Sequence, residues 1–140
     1  MSSNLRPFHL AFPVSDLFEA KKWYTEVIGC SIGRESEEWI DFNMFGHQIV
    51  AHLRSESDSI DMNTVDDKNI PIRHFGVILD FSQWDDLKKH LENKKIKFLI
   101  DPSIRFKGLK GEQRTMFIKD PSGNVLEFKA FKDDEMIFEF

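Results

Sequence analysis

The chain has 140 residues, with 19 Lys and Arg against 24 Asp and Glu and a net charge of −5. That length is one domain's worth and can bury a real core. The acidic balance, with basic residues interspersed among acids, argues against nucleic acid as the main partner, because phosphate binding needs clustered Lys and Arg. The single cysteine, Cys30, excludes an intrachain disulfide or a Cys-based zinc cluster and fits a reducing compartment as inert packing. The opening "MSSNLRPF" lacks the apolar core of a signal peptide, and no apolar run approaches the roughly 20 residues of a membrane span. The expectation is a cytoplasmic protein, with no membrane partner. Fourteen phenylalanines beside one tyrosine predict an aromatic interior.

Residues 5–12 read as a strand. Ser15 or Asp16 then caps a helix, and Asp16 with Glu19 has the capping-box spacing. Leu17, Ala20, Tyr24, Val27 and Ile28 fall on one helical stripe, so Tyr24 reads as core, and Gly29 ends the helix. Short strands follow near 31–35, 38–43 and 47–54, with Gly46 turning the chain before the last. Residues 55–70 are polar, acidic and without period, and read as a linker. The next strand is expected over 72–81. Ser82 with Asp85 caps a helix whose stripe is Trp84, Leu87 and Leu91. A strand near 96–100, a loop over 101–111, and strands at 112–118 and 124–131 complete the series. The last two flank "DPSG", a turn favoured by Pro121 and Gly123. The tail, 132–140, ends in "MIFEF", which suits an added edge strand or a partner chain and equally a frayed end.

This order says the same thing twice. "FHLAFPVSDLFEAKKWY" from Phe8 and "RHFGVILDFSQWDDLKKHL" from Arg73 both run strand to helix, and both are followed by three strands. The histidines His9 and His74 open the two copies. The fold class is therefore α+β: two βαβββ modules with antiparallel-rich mixed sheets and helices on one face. The other face must be covered or form a cavity. The chain reads as one domain of two repeated modules, 5–54 and 71–131, joined by the linker 55–70.

Strand parity sharpens the candidate site, since alternate residues face opposite sides. Phe75, Val77, Leu79 and Phe81 make one apolar face; His74, Gly76, Ile78 and Asp80 point the other way. Leu126, Phe128 and Ala130 share the helix side, opposite Val125, Glu127, Lys129 and Phe131. Phe8, Leu10 and Phe12 pack, while His9, Ala11 and Pro13 point away. His9, His74 and Glu127 thus share the face away from the helices, and Ala11 and Gly76 leave space in front of each histidine. Two imidazoles and a carboxylate with open positions suit Fe(II) and related divalent ions. Manganese, zinc and nickel are the other candidates. A buried, unpaired Glu127 would otherwise be costly.

Matching Gly46 to Gly123 sets Val50 opposite Glu127, so the first module supplies one ligand and the second two. His52 shares the parity of Val50 and is the candidate acid–base group. Gln48 is a candidate substrate contact on that face. Arg114, with Arg105 and Lys107, is a candidate for meeting an anionic substrate. His47 and His90 read as solvent-facing.

The stretches "HLAFPVSDL", "HFGVILD" and "DPSGNVLEF" resemble the vicinal oxygen chelate superfamily, over roughly residues 5–131. That group includes glyoxalase I, extradiol dioxygenases, fosfomycin-resistance thiol transferases and bleomycin-binding proteins. The resemblance implies modules forming a curved mixed sheet around a metal-containing cavity, with metal ligands at His9, His74 and Glu127. Val50 departs from the four-ligand pattern of glyoxalase I. Three ligands match both extradiol dioxygenases and fosfomycin-type transferases; the chain most closely resembles the single-domain extradiol-type dioxygenases, which implies ring cleavage of a small catechol- or enol-like substrate. Those enzymes also place a second-sphere tyrosine near the metal, and none is evident here. The alternatives are a glyoxalase-like isomerase or lyase, a fosfomycin-type thiol transferase, and a metal-free bleomycin-type binding protein. The resemblance also implies a homodimer.

Overall fold

The computed structural model describes residues 5–54, 62–65 and 68–138, with backbone alone for 62–65 and 68–71. Two compact units emerge, one built on residues 1–58 with the turn 121–124, the other on 59–120 with 125–140.

The first unit holds β1 (His9–Val14), helix α1 (Leu17–Trp23), β2 (Ser31–Glu35), β3 (Trp39–Met44) and β4 (His47–Leu53). The strands form a mixed sheet in the order β1-β4-β3-β2, with β1 parallel to β4 and the other pairs antiparallel. Asp16 caps α1 by accepting the Glu19 N–H at 2.9 Å. After Trp23 the helix widens into one π turn, Tyr24–Ile28, and closes on Gly29 at φ 91°, where a left-handed residue is required. Tyr24 is fully buried, stacked on Phe42 at 5.1 Å between ring centroids and tilted against Phe12 at 5.4 Å. Cys30 is buried, as expected, and burial pushes its thiol up to about 12. Phe8 does not join this core: β1 starts one residue later, and Phe8 is 65% exposed.

The second unit holds β5 (Met62–Val65), β6 (Lys68–Pro71), β7 (Ile78–Leu79), α2 (Phe81–Asn93), β8 (Ile100–Arg105), β9 (Gln113–Lys119) and β10 (Val125–Phe131). The order β7-β10-β9-β8 repeats the first sheet, again with the first strand parallel to the last. The register repeats as well. Leu10 partners Ile49, and Phe75 partners Leu126; Pro13 partners His52, and Ile78 partners Lys129. Gly46 and Gly123 both adopt φ 91°, so the two hairpin turns correspond. The duplication read from sequence is thus a duplication of hydrogen-bond register.

Further expectations shift: the strand read over 72–81 is only Ile78–Leu79 with a bridge at Phe75, and Phe81 begins the helix. The stretch read as a linker carries the antiparallel hairpin β5–β6; residues 55–61 and 66–67 lie outside the described ones. Asp80, not Ser82, caps α2, in a capping box with Gln83, because the helix starts at Phe81. The stretch 101–105 is strand rather than loop: β8 lies at the sheet edge, where Pro102 is tolerated beside a register irregularity between Ile100 and Ser103. The tail turns through one 3₁₀ segment, Asp134–Met136, instead of adding a strand, and Phe138 is 92% exposed. Residues 139 and 140 lie outside the described ones.

Helix α2 lays Trp84, Leu87 and Leu91 against the sheet, and the Trp84 indole N–H donates to the Phe128 carbonyl at 2.9 Å. Leu126, Phe128 and Ala130 are fully buried on this side. The opposite side of the sheet keeps its own apolar cluster of Ile100, Phe117 and Val125 beside Glu127. Among the described residues, no helix is long and apolar enough to cross a membrane.

Candidate functional site

In the second unit, the face away from α2 brings His74 and Glu127 together, with Nε2 and Oε1 3.2 Å apart. Two cis donors on one divalent ion, each at about 2.0–2.2 Å, stand about 3 Å apart, so this spacing fits a shared ion. The other Glu127 oxygen accepts the Thr115 hydroxyl. Thr115 projects from β9 on the same face, two residues from Phe117, which lies opposite Glu127. The His74 ring stands edge-on to Phe117 at 5.3 Å. Burial raises the Glu127 pKa, but hydrogen bonds from His74 and Thr115 and the nearby Lys129 charge outweigh it and hold the carboxyl below its ordinary value. Glu127 is therefore an oriented anion beside an imidazole, the chemistry a hard or borderline divalent ion selects.

Gly76 makes this pairing possible in a way parity alone does not reveal. A Cβ built there would meet the Glu127 carbonyl oxygen at 1.6 Å. The glycine does not leave space before His74; it lets the 74–77 backbone lie directly against β10. Phe75 N–H donates to the Val125 carbonyl at 3.2 Å, and Glu127 N–H donates to the Phe75 carbonyl at 2.9 Å. Those bonds fix His74 and Glu127 side by side.

In the first unit, His9, Ala11 and Pro13 of β1 share a face with Gln48, Val50 and His52 of β4 and with Trp39, Asp41 and Asn43 of β3. Gln48, expected as a substrate contact, instead bonds the His9 ring, Oε1 to Nδ1, at 2.7 Å. An amide oxygen only accepts, so Nδ1 donates in this bond, and Nε2 meets no hydrogen-bond partner among the described residues. This is the arrangement that turns an imidazole into a ligand. His52 lies on the same face and is exposed. His47, expected in solvent, is half-buried and accepts the Phe8 N–H at Nδ1, at 2.9 Å. His90 is half-buried as well. Within either unit, among the described residues, no three His, Cys, Asp or Glu side chains gather in one place.

Arg114 faces elsewhere. Its register partner is Ala130, on the side of α2, where it bonds Asp85 at 2.9 Å and lies 4.0 Å over the Phe81 ring. These contacts account for its charge and its stem, and they put it on the opposite face from Glu127. Counting parity along β9 from Phe117, opposite Glu127, places Arg114 on that side. The same count would have placed Thr115 beside Glu127. The same face also carries Asp41, a carboxylate only 8% exposed and directly opposite Val50, which alternation along β3 places there.

The family model described as Glyoxalase/Bleomycin resistance protein/Dioxygenase superfamily matches residues 6–128. Among solved structures, the chain is similar to a glyoxalase/bleomycin resistance protein/dioxygenase from Alicyclobacillus acidocaldarius. The identity is 38%, the match covers 99% of this chain and 100% of that one, and the TM-score is 0.80. The fosfomycin resistance protein FosX from Listeria monocytogenes is 14% identical over 98% and 100% of the two chains, at TM-score 0.70. Lactoylglutathione lyase from Agrobacterium tumefaciens is 17% identical over 99% and 100%, at TM-score 0.64. The last two likenesses concern the fold alone. No curated protein matches the chain.

Proposed function

Because this chain belongs to the glyoxalase/bleomycin resistance protein/dioxygenase superfamily, we propose that it is a metal-dependent enzyme in which His9, His74 and Glu127 hold a divalent ion, Fe(II) above Mn, Zn or Ni. The favoured reaction is extradiol-type ring cleavage of a small substrate with two adjacent oxygens. The observation that carries the reading is the His74–Glu127 pair at 3.2 Å, with Glu127 oriented by Thr115. His9 enters on its place in the repeated module and on the Gln48 bond to Nδ1, which fixes the ring and leaves Nε2 as the nitrogen to meet an ion.

When bound, such an ion supplies Lewis acidity and a meeting point for chelating oxygens and dioxygen. The protein's own residues do the rest. Thr115 and Gln48 keep ligand orientations fixed, so little reorganisation accompanies substrate binding. Ile100, Phe117 and Val125 form an apolar patch that excludes water beside Glu127. His52 takes the role of proton shuttle near the exposed end of β4.

A second reading keeps the ion and changes the reaction to isomerisation or thiol addition, because the ligand set alone does not choose among them. A third is metal-free sequestration of a flat ligand. The reading includes a homodimer, supported by Leu5, Phe8 and Phe18, each more than half exposed on the first unit.

The test is elemental analysis of anaerobically purified protein beside His9→Ala and Glu127→Gln variants, with light scattering for the dimer. About one iron per chain, lost in both variants and accompanied by oxygen uptake with catechols, is the expected result. Stoichiometric metal retained in Glu127→Gln would overturn the ligand assignment. Activity with Mn or Zn and no oxygen uptake would move the reaction to the second reading. Tight binding of a flat ligand by protein that takes up no metal would favour the third.

A further inference from the structure

The register of β2 against β3 slips between Ile32 and Glu35. Ile32 lies opposite Phe42 and Glu35 opposite Ile40, both on the side of α1, where Glu35 bonds Lys21 at 3.1 Å. Gly33 and Arg34 therefore both oppose Asp41, and the extra residue re-aims Arg34 toward the face that holds His9 and Gln48. Bulges are used in this way beside functional sites. Gly33 fits there because a Cβ would already stand 3.3 Å from that of Asp41.

The Arg34 guanidinium is held from two directions. Its Nε lies 3.6 Å from the Asp41 carboxylate, and its centre lies 5.8 Å over the Trp39 ring. The first distance is too long for a hydrogen bond. Among the described residues, no acceptor is hydrogen-bonded to any of the five N–H groups of Arg34, and the side chain is 84% exposed. Asp41, by contrast, is almost buried. A buried carboxylate and an indole face thus set the direction of a guanidinium whose donors meet no hydrogen-bond acceptor among the described residues. That is the preparation for a planar anion, which a guanidinium meets with two parallel hydrogen bonds.

We propose that Arg34, aimed by Asp41 and Trp39, is an anion-recognition residue of this protein and selects small substrates bearing a carboxylate. In the reading above, which this inference deepens, the carboxylate lies at the far end of the substrate from its chelating oxygens. Arg114 does not fill this role, since Asp85 already neutralises it.

Two arms test the inference. In the first, EDTA-treated protein labelled with nitrogen-15 is titrated with 4-hydroxyphenylacetate or with tyramine, which differ in the sign of the tail charge. The readout is the Trp39 indole N–H resonance, identified by its loss in Trp39→Phe. A saturable shift with the anion alone, abolished by Arg34→Ala and partly restored by Arg34→Lys, is expected. An equal response to tyramine, a response unchanged in Arg34→Ala, or no saturable shift would overturn the inference. In the second arm, iron-loaded protein under anaerobic conditions is titrated with 3,4-dihydroxyphenylacetate and with catechol. The anionic ligand should bind about tenfold more tightly, and Arg34→Ala should erase that ratio. Equal affinity in the wild type would overturn the selection. Failure of iron to bind, with the first arm positive, would sink the metal reading and leave Arg34 as the anion site.

Discussion

Replacing Gly76 by alanine adds one carbon and should undo the candidate metal pair. The new Cβ would stand 1.6 Å from the Glu127 carbonyl oxygen and 2.6 Å from its carbonyl carbon. Non-bonded carbon atoms rest about 3.5–4.0 Å apart, so the carbon–carbon overlap alone is about 1 Å. The obstacle is backbone in a central strand, so no rotamer change relieves it. The 74–77 segment must lift from β10, and two hydrogen bonds go with it, Phe75 to Val125 and Glu127 to Phe75. At about 1 kcal/mol each, these account for about 2 kcal/mol. Residual strain in a packed sheet adds about 1–3 kcal/mol. The expected loss is about 3–5 kcal/mol, in the range reserved for severe substitutions.

Urea unfolding followed by circular dichroism measures that loss directly. A parallel titration with Mn(II) reports whether His74 and Glu127 still stand together. Gly76→Ala should weaken metal binding even where the folded fraction is complete. A stability change below about 1 kcal/mol, with metal affinity intact, would refute the close approach of the two backbones.

Thr115→Val removes the hydroxyl that orients Glu127 and should lower divalent-metal affinity about 10–100-fold, read by chelator competition. The Glu127 pKa is depressed on folding, so its contribution to stability is fully present above the ordinary carboxylate value and is lost as pH falls through the folded one. Urea midpoints of the metal-free protein should fall with acidification across that window, and Glu127→Gln should flatten the fall. Asp80→Ala should cost about 1 kcal/mol through the lost cap of α2, measured by chemical denaturation. Cys30, with its thiol pushed up to about 12, should resist a disulfide reagent at pH 8 until the protein unfolds.

The parts legible in the sequence were those set by short-range periodicity. Alternation placed His74 and Glu127 on one face, and the matched glycines 46 and 123 put Val50 where the second module has Glu127. Both follow from a period of two and from a turn that needs positive φ. What escaped depends on partners far along the chain. The sequence around Gly76 shows a small residue but cannot show that the backbone of Glu127 lies against it. Arg34 escaped because a bulge breaks alternation, and nothing local announces it. Pro102 read as loop because its tolerance depends on β8 lying at the edge of the sheet. Arg114 and Thr115 were within reach of the parity count, once β9 was registered against β10.

The two sheets share one register and carry different chemistry at matched positions. Where the second has Glu127 with Phe117 opposite, the first has Val50 with Asp41 opposite. Where the second has Lys129 and Thr115, the first has His52 and Trp39. The carboxylate has in effect moved one strand over, from the position beside the histidine strand to the next strand along. On β10, beside the strand of His74, a carboxylate reaches the imidazole and makes a pair fit for a metal. On β3, two strands from His9, it lies about 10 Å away at the usual strand spacing, too far to share a metal with it. There it meets Arg34 instead. Moving the charge back tests this division: Val50→Glu with Asp41→Val should place a carboxylate beside His9 as Glu127 stands beside His74. That double variant should show added Mn(II) binding by chelator competition and lose the response of the Trp39 indole to 4-hydroxyphenylacetate. Unchanged anion binding would show that Asp41 does not aim Arg34, and unchanged metal binding would show that register alone does not make the pair.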